Sequence, residues 1–153
     1  MKTLRKSLGM MLGKRPPSIQ VGALCLDDEG RVLLITSRGT GRWIIPKGWP
    51  MEGRSLPGAA AREAWEEAGA VGRIKRNEIG RYNYLKDQDA GFAVPVEVRV
   101  FPFVISKLSD HFPEELERTR QWFDPDEAAQ MVAEPGLAQI LRDLPSARRA
   151  GND

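Results

Sequence analysis

The segment 48–70 constrains the fold most, because it combines a helix start, a helix stop and a patterned acidic face. Ser55 can cap a helix with its hydroxyl, and Pro57 is tolerated in a first helical turn. Gly69 suits the left-handed conformation in which many helices end. The segment therefore predicts a helix between the Ser55 cap and Gly69.

Three glutamates in this helix are spaced so that they share one face, namely Glu63, Glu66 and Glu67. We expect small residues on the opposite face to pack on a sheet, namely Ala60, Ala61, Ala64 and Ala68. Crowded carboxylates repel one another unless a cation lies among them, and hard oxygen ligands suit Mg²⁺ or Mn²⁺. The pattern therefore indicates a divalent-metal site. Taken alone, however, the helix fits a solvated face on which Arg62 pairs with Glu66 better than it fits a metal site.

The longer pattern resembles the Nudix box, G-x5-E-x7-R-E-U-x-E-E-x-G-U, where U is a bulky aliphatic residue. The positions that match are Gly48, Arg62, Glu63, Glu66, Glu67 and Gly69. The first glutamate of the box is here Arg54, and the aliphatic positions are Ala64 and Ala70. Arg54 removes a carboxylate and adds a positive charge. Glu52 could replace that carboxylate, or Arg54 could contact the phosphates of a substrate.

The Nudix resemblance implies hydrolysis of a diphosphate linked to another group, X, by metal-activated water. It implies that Mg²⁺ (or Mn²⁺) is bound by the Gly48 carbonyl and by Glu63, Glu66 and Glu67. The residues expected to serve catalysis are Glu63, Glu67 and, by orienting the glutamates, Arg62. Glu63 is our candidate for the base that accepts the proton of water, and the alternatives in an acidic loop are Glu114, Glu115 and Glu117. We expect His111 to be an exposed loop residue.

Two further segments, 42–48, which leads into the box, and 118–128, resemble the diphosphoinositol polyphosphate phosphohydrolases and the diadenosine polyphosphate hydrolases. This likeness implies a highly phosphorylated substrate held by the basic residues Arg38, Arg42, Lys47, Arg118 and Arg120. Arg42 and Arg120 could instead face solvent or pair with acidic residues. ADP-ribose or another nucleoside diphosphate derivative is the alternative substrate. A Nudix-fold binding module with weak catalysis is the alternative function, and Arg54 is its support.

The hydrophobic pattern predicts an α+β fold in one domain. We expect strands at 19–26, 31–37, 43–46, 71–85, 92–108 and 119–123, and helices at 125–133 and 135–144. Trp43 and Trp122 are expected to pack against the sheet. The resemblance implies a Nudix-type α-β-α sandwich with a mixed sheet between helices.

The chain of 153 residues divides into a basic N-terminal arm at 1–17, a domain at 18–145 and an exposed C-terminal tail at 146–153. The arm could be solvated, could gather a polyanionic substrate or could contact a partner subunit. It lacks interleaved aromatic residues, which argues against nucleic-acid binding. The pattern indicates no oligomeric state.

The single cysteine, Cys25, lies in an apolar run and is expected to be buried. One cysteine forms no internal disulfide framework and suits a reducing compartment. No stretch approaches the ~20 apolar residues of a membrane span. We therefore expect a cytoplasmic protein without a membrane partner.

Overall fold

The computed structural model describes the backbone of residues 17–87 and 91–152 and the side chains of these ranges up to residue 144. The expected N-terminal arm falls outside the described residues, apart from its last residue, Pro17.

In the described part of the chain, eight strands form one mixed sheet. They are β1 (Ser18–Leu26), β2 (Val32–Thr36), β3 (Trp43–Ile44), β4 (Lys47–Gly48), β5 (Ala70–Ile74), β6 (Gly80–Asp87), β7 (Ala93–Leu108) and β8 (Arg120–Phe123). The main order is β3-β2-β1-β7-β5, with β4 paired to β1, β6 to β7 and β8 to β2. The central strands β1 and β7 run parallel, and each remaining pair is antiparallel.

Helices cover both faces of this sheet because successive residues of a strand point to opposite faces. In β1, Val21, Ala23 and Cys25 pack on the side of α1 (Leu56–Ala68), and Leu24 and Leu26 pack on the other side. The second side is covered by α2 (Pro125–Met131) and by α3 (Pro135–Asn152). The predicted α+β sandwich, with a mixed sheet between helices, is confirmed. None of the helices in the described ranges is long and apolar enough to cross a membrane.

The ends of α1 follow from its sequence as predicted. The Ser55 hydroxyl accepts a hydrogen bond from the Gly58 amide at 3.1 Å, and Gly69 ends the helix at a φ of 67°. The prediction that the glutamates lie opposite the alanines is wrong. Glu63 and Glu67 are 8% and 7% exposed and lie on the same buried face as the alanines.

The expected single strand at 71–85 is two strands, β5 and β6, which pair in turn with one edge of β7. Residues 75–79 leave the ladder opposite Pro102, which has no N–H to donate to a neighbour. Its carbonyl still accepts from the Lys75 amide at 2.8 Å. The proline of the facing strand therefore accounts for the interruption.

Three other expectations have outcomes in the fold. Helix α3 continues to Asn152, so the backbone of the expected exposed tail is helical over 146–152, and its exposure stays a prediction. Cys25 is fully buried, as predicted. Trp43 and Trp122 pack against opposite cores, and the Trp43 ring meets Phe123 edge-on at 5.2 Å, which agrees with a packing role for both.

Candidate active site

The centre of the site is a pair of buried carboxylates on α1, held against β4. A Cβ on Gly48 would overlap the carboxyl group of Glu63, so the glycine leaves the space that this carboxyl group fills. The Lys47 amide donates to Glu67 Oε1 at 3.1 Å. Strand β4 therefore contributes a backbone N–H donor to Glu67 at Lys47 and room for the Glu63 carboxyl group at Gly48.

The electrostatics of the pair are those of two acids sharing a poorly hydrated space. Burial raises the pKa of Glu67 to about 8; Arg118 opposes this rise, and the nearby Glu63 carboxyl group adds to it. Burial also raises the pKa of Glu63 above its ordinary value. Each carboxyl group thus binds a positive charge more readily than an exposed glutamate does, and a proton or a metal ion can supply that charge.

Glu66 does not converge with this pair. Its Oε1 accepts from Arg62 Nε at 2.8 Å near the surface. Within residues 17–87 and 91–152, no group of three or more acidic, histidine or cysteine side chains is gathered closely enough to hold a metal ion. The expected set of three glutamates is therefore present on one helix, with two members together and the third turned to Arg62.

The donor set nevertheless fits a divalent cation. The carboxylate oxygens of Glu63 and Glu67 are hard ligands, and Gly48 leaves room for the Glu63 carboxyl group because it has no side chain. A cation would also offset the cost of burying both charges.

Lys47 lies on the opposite side of β4 from the pair. Its Nζ donates to the Tyr84 hydroxyl at 3.2 Å and lies 4.6 Å from the centre of the Tyr84 ring. The Tyr84 hydroxyl in turn donates to Gln20 Oε1 at 2.7 Å. Burial lowers the pKa of Lys47. Sequence reasoning missed Tyr84 and Gln20, because neither belongs to the box and only the pairing of β1, β4, β6 and β7 brings them together.

The basic residues expected to bind substrate have different surroundings. Arg38 is 57% exposed and lies 3.4 Å from Glu117 Oε1 and 3.7 Å from Glu114 Oε1. Arg42 is exposed, and its side chain contacts Thr40 in the same loop. These two residues can reach a ligand in solvent.

Arg118 and Arg120 are instead engaged by the protein. Arg118 contacts Glu114, Glu67 and the Thr36 carbonyl. Arg120 Nη1 donates to the Ala68 carbonyl at 2.7 Å and to the Ser109 carbonyl at 2.8 Å. Arg120 therefore holds the end of α1 to the loop that follows β7. The sequence alone did not indicate this role.

The structure also shows the acidic loop and the residue at which the sequence departs from the Nudix box, Arg54. His111 is exposed as predicted and lies 3.2 Å from Glu115. Of the three loop glutamates, Glu114 is joined to α1, because its amide donates to the Glu66 carbonyl at 3.0 Å. Glu52 and Arg54 are both exposed in the loop before α1.

Comparison with known proteins shows the family of this chain. The model of the NUDIX domain family matches residues 16–144. Nudix hydrolase 18, mitochondrial, from Arabidopsis thaliana is 35% identical over 104 residues, which cover 67% of this chain and 56% of the relative. Diphosphoinositol polyphosphate phosphohydrolase 3-beta from Bos taurus is 33% identical over 137 residues, which cover 84% of this chain and 80% of the relative.

A crystal structure of C. elegans Ap4A hydrolase has the same fold, with a TM-score of 0.60 and 17% identity over 86% of this chain and 98% of that one. The match to Nudix hydrolase 17, mitochondrial, from Arabidopsis thaliana covers 62% of that relative, so this chain spans little more than half of two plant relatives. The family match covers most of the chain and includes the carboxylate pair and Gly48. The chain therefore belongs to the NUDIX domain family.

Proposed function

We propose that this protein hydrolyses a phosphoanhydride in a small molecule that carries a diphosphate linked to another group, with Mg²⁺ (or Mn²⁺) as its cofactor. The observation that supports this most directly is the Glu63–Glu67 pair buried against Gly48. Two buried acids without a counter-charge are costly, whereas around a divalent cation they are ligands.

In this proposal the glutamates of α1 bind the cation and accept the proton of water. Glu63 and Glu67 would hold the cation together with the Gly48 carbonyl, and Glu66 would join them only by leaving Arg62. The cation supplies charge neutralisation at the phosphate oxygens and a lowered pKa of water. The water oxygen bonds to phosphorus, the bond to the bridging oxygen breaks, and a proton passes to a carboxylate. Glu63 remains our candidate for that base, since its carboxyl group lies at Gly48 in the pair that would hold the cation.

The substrate that we favour is highly phosphorylated, either a diphosphoinositol polyphosphate or a diadenosine polyphosphate. The names of the Bos taurus relative and of the C. elegans structure support these two classes. Arg38 and Arg42 are exposed on one loop, and guanidinium groups suit phosphate oxygens. Lys47 can add a third cation if a ligand displaces its contact with Tyr84.

A second candidate is a less charged substrate such as ADP-ribose or another nucleoside diphosphate derivative. The observation in its favour is the engagement of Arg118 and Arg120 by protein oxygens. Two of the five basic residues expected to bind a polyphosphorylated substrate therefore contact protein oxygens instead. Fewer positive charges are then available to bind its phosphates.

A panel of diphosphoinositols, dinucleoside polyphosphates and ADP-ribose tests both candidates, with Mg²⁺ present and the cleavage products separated by ion-exchange chromatography as the measurement. We expect turnover of at least one class, with Glu67→Gln slower by about 100-fold or more because an amide ligates hard metals poorly. Arg38→Gln should impair a polyphosphorylated substrate more than ADP-ribose. Absence of cleavage products from every compound, alongside an active control enzyme, would reject hydrolysis. Ligand binding in calorimetry without turnover would then identify a binding module.

A further inference from the structure

Strand β6 lies at an edge of the sheet, and its outer edge has no partner strand among the described residues. Its eight residues pair with β7 alone, in one continuous register without a bulge. Outside this ladder, the structure records no backbone hydrogen bond between residues 80–87 and any other described residue. The outward N–H and C=O groups of β6 therefore form a template on which a further strand can pair.

The other edge strands of the sheet are shorter or less regular. Strand β5 has five residues, and a bulge between Val71 and Gly72 interrupts its pairing. Strands β3 and β8 have two and four residues. Soluble proteins commonly shorten or bulge their edge strands, because a long regular edge pairs with other chains. β6 has neither feature, and it contains no proline that would remove a backbone donor.

Helix α3 covers one face of β6 and leaves the other face exposed. A Cβ on Gly136 would lie 2.7 Å from the Cβ of Tyr82, and a Cβ on Gly80 would lie 3.0 Å from the Ile140 side chain, so α3 and β6 are in close contact. The side chains that alternate onto the opposite face are all exposed, namely Arg81, Asn83, Leu85 and Asp87. Leu85 is 67% exposed, and a strand added at the edge of β6 would cover part of it.

The order of side chains along β6 suits antiparallel pairing with a second copy of the same strand. In a two-fold arrangement centred on Tyr84, Arg81 of one copy lies opposite Asp87 of the other, once at each end of the ladder. Asn83 then lies opposite Leu85, and the two leucines are diagonal neighbours within reach of each other. A centre at either neighbouring residue of β6 removes the match between the opposite charges.

Both charged side chains have groups available for this contact. Arg81 donates from Nε and Nη2 to Glu78 at 2.7 and 2.9 Å. Its Nη1 lies 3.6 Å from Glu97 and donates no recorded hydrogen bond within the described ranges. Asp87 is exposed and has no recorded ion pair with another described residue. Exposed ion pairs add little stability, but opposite charges favour this register over those that leave them unmatched.

We propose that this protein forms a two-fold dimer in which the β6 strands of two copies pair antiparallel, centred on Tyr84, so that the two sheets become one. The proposal does not depend on the proposed function. The interface adjoins the candidate site through Tyr84, whose hydroxyl contacts Lys47 and Gln20.

The first test measures the mass of the whole chain by analytical ultracentrifugation over a wide range of protein concentration. We expect a dimer at high concentration that dissociates on dilution. Leu85→Lys should weaken it by about 10-fold or more, because two like charges become neighbours across the axis. Leu116→Lys changes a leucine that is 96% exposed in the loop after β7, and this control should dimerise as the wild type does. A monomer at every concentration, or equal dissociation constants for the wild type and Leu85→Lys, would overturn the proposal.

The second test examines the register by reversing a charge. Asp87→Arg places an arginine opposite Arg81 at both ends of the ladder and should weaken the dimer by about 10-fold. Asp28→Arg makes the same charge change in the exposed turn after β1 and should leave the dimer intact. Equal dissociation constants for Asp87→Arg and Asp28→Arg would exclude the register centred on Tyr84 and so overturn the proposal.

Hydrogen exchange identifies the surface that the dimer buries. The amide hydrogens of 80–87 should exchange more slowly as the wild-type concentration rises, whereas those of β5 should not change. Protection confined to another segment would overturn the proposal. The melting temperature controls for folding, and all the substituted side chains are exposed. None of these measurements uses a substrate, so an absence of hydrolysis would count against the proposed function without affecting this result.

Discussion

Gly48 is the residue whose replacement tests the site most directly, since a Cβ there would overlap the Glu63 carboxyl group. We expect Gly48→Ala to displace Glu63, to lower metal affinity by about 10-fold or more, and to destabilise the fold by about 1–3 kcal/mol through overpacking. Calorimetry with Mn²⁺ and thermal unfolding measure the two effects. Gly58→Ala, in the first turn of the same helix, is the control and should leave metal affinity unchanged. Normal metal binding in Gly48→Ala would place the cation elsewhere.

The Glu67 carboxyl group predicts a pH dependence of stability in the metal-free protein. Burial raises its pKa from an ordinary 4.5 to about 8. Between those values the folded state holds a proton that the unfolded state has lost, so the free energy of unfolding falls as the pH rises. The contribution is complete below about pH 4.5 and is gone once the pH has passed about 8.

We therefore expect chelator-treated wild-type protein to lose thermal stability from about pH 5 to about pH 8, and Glu67→Gln to lose less of it. Each kcal/mol corresponds to about 2–4 °C in a chain of this size. Melting curves across this range measure the difference, and Glu115→Gln should retain the wild-type slope. Parallel curves for wild type and Glu67→Gln would show that Glu67 is not held in a dry site.

At the scale of the element, Gly69 both ends α1 and gives room to the loop that follows β7. Its φ is 67°, and a Cβ would lie 2.8 Å from the Ser109 carbonyl and 2.9 Å from Arg120 Nη1. We expect Gly69→Ala to cost about 1–3 kcal/mol, because backbone strain and a clash act together. Asparagine tolerates the left-handed conformation, so Gly69→Asn separates the two causes. Urea unfolding measures both variants, and wild-type stability in Gly69→Ala would exclude the clash.

The elements differ in how far their sequence predicts them. The ends of α1 were predictable because Ser55 and Gly69 act on their own neighbours in the chain. The break between β5 and β6 was not, because Pro102 belongs to the facing strand. The burial of Arg118 was hidden for a similar reason: its partner, the Thr36 carbonyl, is 82 residues away. Local chemistry is visible in a single sequence, whereas contacts across the sheet require the pairing of strands.

At the scale of the whole molecule, the two faces of the sheet carry different parts of the site. The carboxylate pair lies on the α1 side, and Lys47, Tyr84 and Gln20 lie on the other side. Strand β4 connects the faces through adjacent residues, since Lys47 directs its side chain one way and Gly48 accommodates Glu63 on the other. A change in the packing of either face therefore reaches the site through two consecutive residues of one short strand.

The reactivity of Cys25 reports whether α1 detaches from the sheet. It is the single cysteine of the chain, is fully buried between β1 and α1, and burial raises its pKa so that little reactive thiolate forms. We expect no reaction with a thiol reagent near pH 8 under native conditions and full reaction in guanidinium. Ser106→Cys adds an exposed thiol on β7 as a control and should react at once. Labelling of native Cys25 at a rate near that of the exposed thiol would mean that α1 detaches readily from the sheet. That result would contradict a site in which α1 holds Glu63 and Glu67 in fixed positions.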